Sequence, residues 1–521
     1  MGTRKFGRTG GIGTSTMLAL GLAGAGCGDN QAVTPSVDAR ANAATQTTDS
    51  AAANARNALR PLAPLSGSMS GSRQPTFRYA PSRNASIDIC DDRACAHVLD
   101  QLAGTDGVAQ PTTPLRAGVL FWRVVTRQTQ SAVWQLTIPG RDTGGDIAWG
   151  VVPDFNGDGF ADVAIGSPAA GSQSVSVFNG SPNGPGFTPE ETLTGGALFG
   201  EAVASAGDVN GDGFVDLAVA AGSGPGSVTV YLGGLAGPGG TGTTLSPGGV
   251  TSGFGASVAS AGDVNGDGYG DLLVGGVEHA QVFLGGPTGL ATTAAFTLAG
   301  PGRTGDASVV QGPADVNADG IPDLYVGGAL YLSSAAGLAA EAGFDGQAGS
   351  FAGDVNGDGF GDFAASQVSP GSPAGIDNGA FLFIQAGETT LGTAGDVNGD
   401  GYSDVISSLS SIENFPDRQR VYFGAPGSCG NTGCRPFVGV PIPGHDFVGG
   451  NLTAFLGGVG DVNGDGLDDL VASTPDSGNG YFYGSVGGSG NDEAFAFPTW
   501  SFAPGFGTSF AALFGSARPL F

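Results

Sequence analysis

Short runs of alternating apolar and polar residues recur along the chain from about residue 75 onward. Gly118 to Val125 reads GVLFWRVV, Val133 to Ile138 reads VWQLTI, and Ser227 to Gly234 reads SVTVYLGG. Alternation with a period of two, interrupted by Gly, Pro, Asn and Asp, predicts β-strands joined by tight turns. No segment sustains the 3.6-residue period of an amphipathic helix. The pattern therefore predicts an all-β protein.

One sequence unit recurs seven times between residue 141 and the C-terminus. Its best-defined part reads Asp-x-Asn-x-Asp-Gly-x-x-Asp, and an aliphatic strand follows it, such as LAVA at Leu217 or LLVG at Leu272. The copies recur about every 51 residues, which suits a four-stranded propeller blade. Residues 141–521 are therefore predicted to form a seven-bladed β-propeller. The seven copies begin at Asp154, Asp208, Asp263, Asp315, Asp354, Asp396 and Asp461.

Two segments separate these repeats from the N-terminal region. Residues 28–72 are rich in Ala, Ser, Thr, Asn and Pro with hardly any aromatic residues, which predicts a flexible linker. Residues 73–140 hold alternating runs that predict a small antiparallel β-sandwich. The run Leu115…Phe121-Trp122-Arg123-Val124, followed by Trp134, resembles a fibronectin type III or immunoglobulin-like module. We interpret the two tryptophans as core residues.

The first 27 residues are typical of an export signal. Arg4, Lys5 and Arg8 form a basic start, Met17 to Ala23 is a short apolar core, and small residues lead to Cys27. The segment resembles a bacterial lipoprotein signal, which implies lipidation of Cys27 and anchoring at the cell surface or outer membrane. The alternative is plain cleavage after Ala25, with a secreted or periplasmic product.

The remaining four cysteines form two close pairs, Cys90 with Cys95 and Cys429 with Cys434. Four cysteines allow three pairings, and these spacings favour two local disulfides in an oxidising compartment. Bridges that close such short loops stabilise hairpins and do not hold the whole fold.

The charge balance narrows the possible partners. The chain has 19 Lys and Arg residues against 47 Asp and Glu, a net charge of −28. Nucleic-acid binding needs clustered cations, so we expect no nucleic-acid partner. Nor do we expect membrane contact beyond an N-terminal lipid anchor. The protein is predicted to be a monomer.

The repeated acidic loop has the chemistry of a calcium site. Positions 1, 3, 5 and 9 offer side-chain oxygens and position 7 offers a backbone carbonyl, a set that selects a hard cation and favours Ca²⁺ over Mg²⁺. About seven calcium ions are expected, which would bring the net charge from −28 to about −14. The predicted ligand residues are Asp154, Asn156, Asp158, Phe160, Asp162, Asp208, Asn210, Asp212, Phe214, Asp216, Asp263, Asn265, Asp267, Tyr269, Asp271, Asp315, Asn317, Asp319, Ile321, Asp323, Asp354, Asn356, Asp358, Phe360, Asp362, Asp396, Asn398, Asp400, Tyr402, Asp404, Asp461, Asn463, Asp465, Leu467 and Asp469.

Two other interpretations of the loop have to be weighed. An EF-hand would carry Glu at position 12 and helices on both sides, whereas position 12 is Ile165 and Val219 in the first two copies and strands follow. The alternative is a set of Asx-turns that carry surface acids. Seven copies with the same acids favour the metal site.

The whole repeat resembles the FG-GAP repeat. The resemblance rests on the acidic loop, on the lead-ins that begin Phe199-Gly200 and Phe254-Gly255, and on Gly-x-Pro turns such as Gly166-Ser167-Pro168. FG-GAP repeats build the seven-bladed propeller of integrin α subunits, and many bacterial surface proteins carry similar repeats. The resemblance implies calcium loops on the lower face and a partner surface on the upper face. Ala318 departs from the usual Gly at position 4.

A further copy of the lead-in, Phe506 to Ala511, has no loop after it. We expect this C-terminal segment to close the ring against the first blade, which would remove an open sheet edge.

The favoured function is a calcium-stabilised cell-surface protein that binds a protein or glycan through propeller loops. Two connections between second and third strands are predicted to be long, 365–380 and 407–420, and the second offers Phe415, Arg418 and Arg420 for recognition. The alternatives are a calcium-dependent polysaccharide-degrading enzyme and a structural spacer. No catalytic residues stand out, because the three His residues are scattered and the loops account for most paired carboxylates.

Overall fold

A computed structural model gives the fold of the second of two compact units, 1–54 and 55–521, into which the chain divides. The predicted signal with Cys27, most of the linker, Phe415, the pair Cys429 and Cys434, and the segment 506–511 lie outside the described residues. The structure describes residues 59–501 with gaps at 71, 82–83, 139–147, 169–172, 187, 223–224, 249–252, 301–306, 335–336, 346–348, 366, 378–381, 384–387, 410–417, 425–438, 442–454, 465, 475–478 and 484–499.

The described residues form strands, turns and bends, without a helix. Within this part of the chain, no helix is long and apolar enough to cross a membrane. The predicted all-β class is confirmed.

Nine strands form the N-terminal sheet pair. A three-stranded sheet has the order β1-β3-β6, and a six-stranded sheet has the order β5-β4-β7-β8-β2-β9, in which β2 and β8 run parallel. The strands are β1 (Arg60–Ala63), β2 (Ser68–Ser70), β3 (Phe77–Ala80), β4 (Ala85–Cys90), β5 (Val98–Gly104), β6 (Val108–Ala109), β7 (Gly118–Val125), β8 (Trp134–Ile138) and β9 (Ala148–Trp149).

The two sheets share one core. Trp122 stands between Phe77 and Trp134, with ring centroids 4.8 and 5.6 Å away in edge-to-face arrangements. Both tryptophans are fully buried, as expected for core residues. Alternate residues of β4 and β7, such as Ile87 and Val124, fill the same core because successive strand residues point to opposite sides.

The sheet pair extends beyond its predicted limits of 73 and 140. β1 and β2 lie inside the segment predicted to be a flexible linker, and β9 lies beyond the predicted C-terminal limit. Leu59 and Leu65 pack against the shared core, so this segment buries enough apolar surface to order its backbone. The average composition of 28–72 is so polar that these few leucines do not change the predicted linker.

Seven further sheets follow in the described part of the chain, each an antiparallel meander in sequence order. The first has three described strands and the others four, and sheet 5 carries a separate hairpin, β28–β29. The strands are, in sheet 1, β10 (Val163–Ser167), β11 (Ser174–Phe178) and β12 (Glu191–Thr194); in sheet 2, β13 (Ala202–Gly207), β14 (Asp216–Ala221), β15 (Ser227–Leu232) and β16 (Gly239–Leu245); in sheet 3, β17 (Val258–Gly262), β18 (Asp271–Val274), β19 (His279–Phe283) and β20 (Phe296–Ala299); in sheet 4, β21 (Val310–Ala314), β22 (Asp323–Val326), β23 (Ala329–Leu332) and β24 (Ala339–Asp345); in sheet 5 with its hairpin, β25 (Ser350–Gly353), β26 (Asp362–Ala364), β27 (Gln367–Ser369), β28 (Gly371–Ser372), β29 (Gly375–Ile376) and β30 (Leu382–Phe383); in sheet 6, β31 (Glu388–Gly395), β32 (Asp404–Leu409), β33 (Arg418–Tyr422) and β34 (Gly439–Pro441); and in sheet 7, β35 (Phe455–Gly460), β36 (Asp469–Thr474), β37 (Asn479–Tyr483) and β38 (Trp500–Ser501).

Consecutive sheets are packed face to face. Val175 of sheet 1 and Val219 of sheet 2 belong to one buried cluster, while Ala204 of sheet 2 and Leu272 of sheet 3 belong to the next. Small residues on the first strands of sheets 2 and 3, such as Ala204 and Ala259, allow close approach, because there is little side chain to keep the backbones apart.

An irregular step in strand pairing precedes the acidic loop in sheets 2 to 7. In sheet 2 the register shifts between Ser205 and Gly207, and Gly207 has a φ of +75°. A bulge of this kind needs a positive φ and bends the strand end. The bend directs the following aspartate into the loop.

The two long connections predicted between second and third strands are shorter in the structure. β26 and β27 are separated by 365–366 only, because short strands occupy much of 365–380. In sheet 6 the connection is 410–417, since β32 runs to Leu409 and β33 starts at Arg418. Arg418 and Arg420 therefore lie on a strand, paired with Leu409 and Ser407.

Candidate metal centre

The seven acidic segments are here called loops 1 to 7, and their residues are numbered by position 1 to 9. In loop 2, the position-1 carboxylate of Asp208 organises the turn. Its Oδ1 accepts the backbone N–H groups of Gly211 at 2.7 Å and Asp212 at 3.1 Å, and its Oδ2 accepts that of Gly213 at 2.7 Å. Gly211 has a φ of +74°, which favours glycine at position 4. Ala318 adopts a φ of +55° at the same position of loop 4, at a cost of about 1 kcal/mol.

The position-9 carboxylate ties the loop to the sheet. Asp216 starts β14 and is completely buried. Its Oδ2 accepts the N–H of Val209 at 2.8 Å, and its Oδ1 accepts the N–H of Gly233, just beyond β15, at 2.8 Å. One side chain thus joins the loop to the end of the third strand.

The other loops repeat this geometry. Every position-1 aspartate accepts backbone N–H groups from its own loop, and every position-9 aspartate accepts the N–H of position 2. Asp465, at position 5 of loop 7, lies outside the described residues. The position-1 bonds are those of Asp154, Asp263, Asp315, Asp354, Asp396 and Asp461. The position-9 bonds are those of Asp162, Asp271, Asp323, Asp362, Asp404 and Asp469.

Positions 3 and 5 form a second small network. In loop 2, Asn210 Nδ2 donates to Asp212 Oδ2 at 2.8 Å, and the N–H of Asp212 donates to Asn210 Oδ1 at 3.0 Å. The N–H of Phe214, at position 7, donates to Asp212 Oδ1 at 3.0 Å. The four polar side chains of one loop are therefore held within one turn.

Burial and crowding perturb the loop carboxyls. Burial, with the charge of Asp212 as a smaller cause, raises the pKa of Asp208 to about 7. Burial and then the charge of Asp208 hold the pKa of Asp216 well above its usual range. Burial also raises the pKa of Asp263 to about 7 and that of Asp323 to about 8. A bound divalent cation would favour the charged forms of these crowded acids.

The donor set fits a hard cation. A carboxylate oxygen has several lone pairs, so one that accepts an N–H can also bind a metal. Among the described residues, no three acidic, His or Cys side chains converge as a ready metal cluster. Besides the carboxylates, a calcium site in a loop would use the Asn side chain and backbone oxygens.

The interpretation as turns with surface acids fits the structure only in part. The hydrogen bonds of Asx-turns are present, but the acids at positions 1 and 9 are not on the surface: Asp208 is 1% exposed and Asp216 is 0% exposed. Burying repelling carboxylates only to cap a turn would be costly, since a neutral Asn or Ser can do the same.

A chain of hydrogen bonds links neighbouring loops. The position-8 N–H of loops 3, 5, 6 and 7 donates to the position-1 carbonyl of the loop before it, as in Gly270 to Asp208 at 2.7 Å. Pro322 holds position 8 in loop 4 and has no N–H to donate. Loop 1 continues the series, because Ala161 donates to the carbonyl of Asp461 in loop 7 at 2.9 Å. The last loop thus meets the first; the predicted strand 506–511 lies outside the described residues.

We expect Asp216→Ala to destabilise the protein by about 3 kcal/mol, since the buried N–H of Val209 and the partly buried N–H of Gly233 lose their acceptor. Chemical denaturation with and without calcium measures this. If Asp216 is also a ligand, the loss should be larger with calcium present. Asp100→Ala, at an exposed position on β5, is the matched control and should change stability by less than about 0.5 kcal/mol. Equal losses in the two buffers would contradict a ligand role.

The structure adds functional candidates that the sequence analysis missed. Arg93 and Arg60, from the N-terminal sheet pair, contact loops 1, 2 and 3. Their partners are 64 to 207 residues away in the chain, so no local pattern signals them. Arg418 and Arg420 lie on β33.

Comparison with known proteins assigns the repeats to a family. The FG-GAP-like repeat family matches residues 154–219 and 208–274, which hold loops 1 to 3. Integrin alpha-IIb of Mus musculus is 38% identical over 164 residues, 27% of this chain and 16% of that protein. Integrin alpha-V of Gallus gallus is 32% identical over 203 residues, 34% of this chain and 19% of that protein. The predicted FG-GAP, integrin α-like repeats are confirmed.

Each of these matches spans less than a fifth of the relative. Among solved structures, rhamnogalacturonan lyase YesW covers 81% of this chain and 90% of its own, with a TM-score of 0.33 and 13% sequence identity. A TM-score of this size carries no argument for the fold or for an activity.

Proposed function

We propose that these FG-GAP-like repeats form a closed seven-bladed β-propeller that binds calcium in its loops and presents a partner-binding surface outside the cell. The N-terminal sheet pair is its fibronectin type III-like companion. The observation that carries the proposal is the buried position-9 carboxylate of all seven loops, which the position-1 carboxylate repels in loops 1 to 6.

Ring closure is supported by the loop hydrogen bonds. The bond from Ala161 to Asp461 has the same form as those between consecutive loops, and a second bond runs from Ser181 to the carbonyl of Val462 at 3.0 Å. Closure would cover the two open sheet faces that a linear row of such sheets would leave.

Calcium is supported by the chemistry of the loops. They offer oxygen atoms only, in a flexible turn and in a number that suits Ca²⁺ better than the octahedral Mg²⁺. Position-1 and position-9 aspartates, Asn at position 3, Asp at position 5 and the position-7 carbonyl would hold the ion. The ion would neutralise the loop and join its two ends.

An adhesion-type role at the cell surface is supported by the similarity to integrin α chains, within the repeat region that matches. Export agrees with the basic and apolar segments that precede Cys27 and with the disulfide between Cys90 and Cys95. Lipidation at Cys27 would anchor the protein to a membrane.

The proposal is tested by screening the purified chain on protein and glycan arrays, in calcium and in chelator. We expect one ligand class to bind in calcium, with at least tenfold weaker binding in chelator. If no ligand bound in calcium or in chelator, the protein would be a structural spacer. Cleavage of acidic glycans would indicate an enzyme. Either result contradicts the proposed role.

We expect the triple change Phe415→Ala, Arg418→Ala, Arg420→Ala to weaken binding of that ligand at least tenfold, since aromatic and Arg residues dominate protein interfaces. Surface plasmon resonance on the ligand found by the arrays measures it. Arg116→Ala, an exposed position in the N-terminal sheet pair, is the control. Unchanged affinity in the triple variant would remove this surface from the partner site.

A further inference from the structure

Arg93 joins the N-terminal sheet pair to two acidic loops at once. Its Nε donates to the carbonyl of Gly157 in loop 1 at 2.6 Å, and its Nη1 donates to the carbonyl of Gly213 in loop 2 at 2.8 Å. Its Nη2 donates to Gln135 Oε1 on β8 at 3.1 Å. The planar guanidinium thus bridges loops that belong to two different sheets.

Arg93 is held in a fixed place. It lies in the short segment between Cys90 and Cys95, which a disulfide closes, and the N–H of Cys95 donates to the carbonyl of Asp92 at 2.9 Å. Its guanidinium carbon is 4.4 Å from the ring centroid of Phe214, at position 7 of loop 2, and 5.3 Å from that of Phe121. The disulfide therefore presents a preorganised cation to the loops.

Arg60 repeats the arrangement on loop 3. Its Nη1 donates to the carbonyl of Asp267 at position 5, and its guanidinium carbon is 4.9 Å from the ring centroid of Tyr269 at position 7. Each arginine thus donates hydrogen bonds to loop carbonyls and packs against the aromatic side chain at position 7 of a loop.

Other groups complete the contact. Ser66 Oγ donates to the carbonyl of Gly213 at 2.9 Å, and the N–H of Val152 donates to the carbonyl of Gly67 at 2.7 Å. A Cβ atom at Gly213 would lie 2.1 Å from the carbonyl oxygen of Val133. The sheet pair is therefore packed tightly on the folded loops.

We propose that Arg93 and Arg60 are positioning residues that recognise the folded backbone of loops 1 to 3, so that calcium binding to these loops and docking of the N-terminal sheet pair stabilise each other. This rests on the calcium sites proposed above. The hydrogen bonds go to carbonyl oxygens, which leaves the loop carboxylates available to a cation. The docking of the N-terminal sheet pair would then depend on whether calcium occupies loops 1 to 3.

The direction of the coupling follows from this geometry. A cation in the loop fixes the turn whose carbonyls the arginines bind, which favours docking. The positive charges of arginine and cation repel each other, which opposes it. Loops 1 and 2 together carry six ligand aspartates, so two calcium ions and one Arg leave a net charge of about −1 and attraction persists.

Hydrogen exchange of the full chain tests the coupling. We expect chelator to increase exchange in peptides that cover 60–70 and 131–138, where the sheet pair meets the loops. Because coupling is reciprocal, Arg93→Ala and Arg60→Ala should weaken calcium binding to loops 1 to 3 at least fivefold by calorimetry. Arg127→Ala, exposed on the same sheet pair, is the matched control and should match the wild type in both measurements.

A further variant separates geometry from charge. Arg93→Lys keeps the positive charge but loses the fork that reaches two carbonyls, so it should behave like Arg93→Ala. Full rescue by Lys, tighter calcium binding in Arg93→Ala, or identical results for Arg93→Ala and Arg127→Ala would overturn the coupling and leave the calcium sites standing. Failure of the wild-type chain to bind calcium would overturn both proposals.

Discussion

Removing calcium from the folded chain should lower its melting temperature by about 15 °C or more. A ligand that binds only the folded state stabilises each site by about 2.7 kcal/mol at a hundredfold excess over Kd. One kcal/mol moves the melting temperature of a large domain by about 2 °C, so three filled sites suffice for this shift. Differential scanning calorimetry of the chain in calcium and in chelator measures it.

The control is restoration by different ions. Calcium added back in excess over the chelator should recover the original melting temperature, whereas magnesium at the same concentration should recover only a small part of it. A melting temperature that is the same in calcium and in chelator would mean that the loops are held by their own hydrogen bonds, such as those of Asp208, and that their acids have another role.

The repeats could be predicted from the sequence because each carries its own signal. Asp208 to Asp216 specify a turn by their types and spacing, and LAVA at Leu217 specifies the strand that follows. In the structure, position 1 caps the turn and position 9 stands at the start of the next strand. Local chemistry of this kind needs no knowledge of distant residues.

The docking of the sheet pair could not be predicted in the same way. Arg93 stands among ordinary polar residues, and its loop partners are Gly157 and Gly213, whose backbone carbonyls any residue type would also supply. Strands β1 and β2 could not be predicted for a related reason. Two leucines, Leu59 and Leu65, are too few to predict a strand. They pack against a core that contains Trp122, which is far away in the sequence.

The connections in sheets 5 and 6 show a second limit of the pattern. Most residues between 365 and 380 are Gly, Ser, Pro and Ala, with few alternating apolar positions, so the pattern predicts one long loop. β27 and the hairpin β28–β29 nevertheless form, because their backbones pair and because Val368 and Ile376 are buried in clusters shared with other strands. Alternation detects strands with several apolar residues and misses short strands that carry only one.

The stability of the metal-free chain should fall as pH rises from about 5 to 8. Burial raises the pKa of Asp263 to about 7 and that of Asp323 to about 8, from 3.8 in the unfolded chain. Groups whose folded-state pKa is raised stabilise the fold below the unfolded pKa, and this contribution is lost as pH passes through the folded value. A pKa of about 7 in place of 3.8 corresponds to on the order of 4 kcal/mol for that carboxyl.

Calcium should reverse this trend, because it binds the deprotonated carboxylates and competes with their protons. The gain in melting temperature on adding calcium should therefore be larger at pH 8 than at pH 5, and denaturation curves at both values, with and without calcium, measure the difference. Asp263→Asn removes one of these titrating groups and should flatten the metal-free curve, whereas Asp100→Ala should leave it unchanged. A calcium gain that is equal at the two pH values would mean that protons and calcium do not share the loop carboxylates.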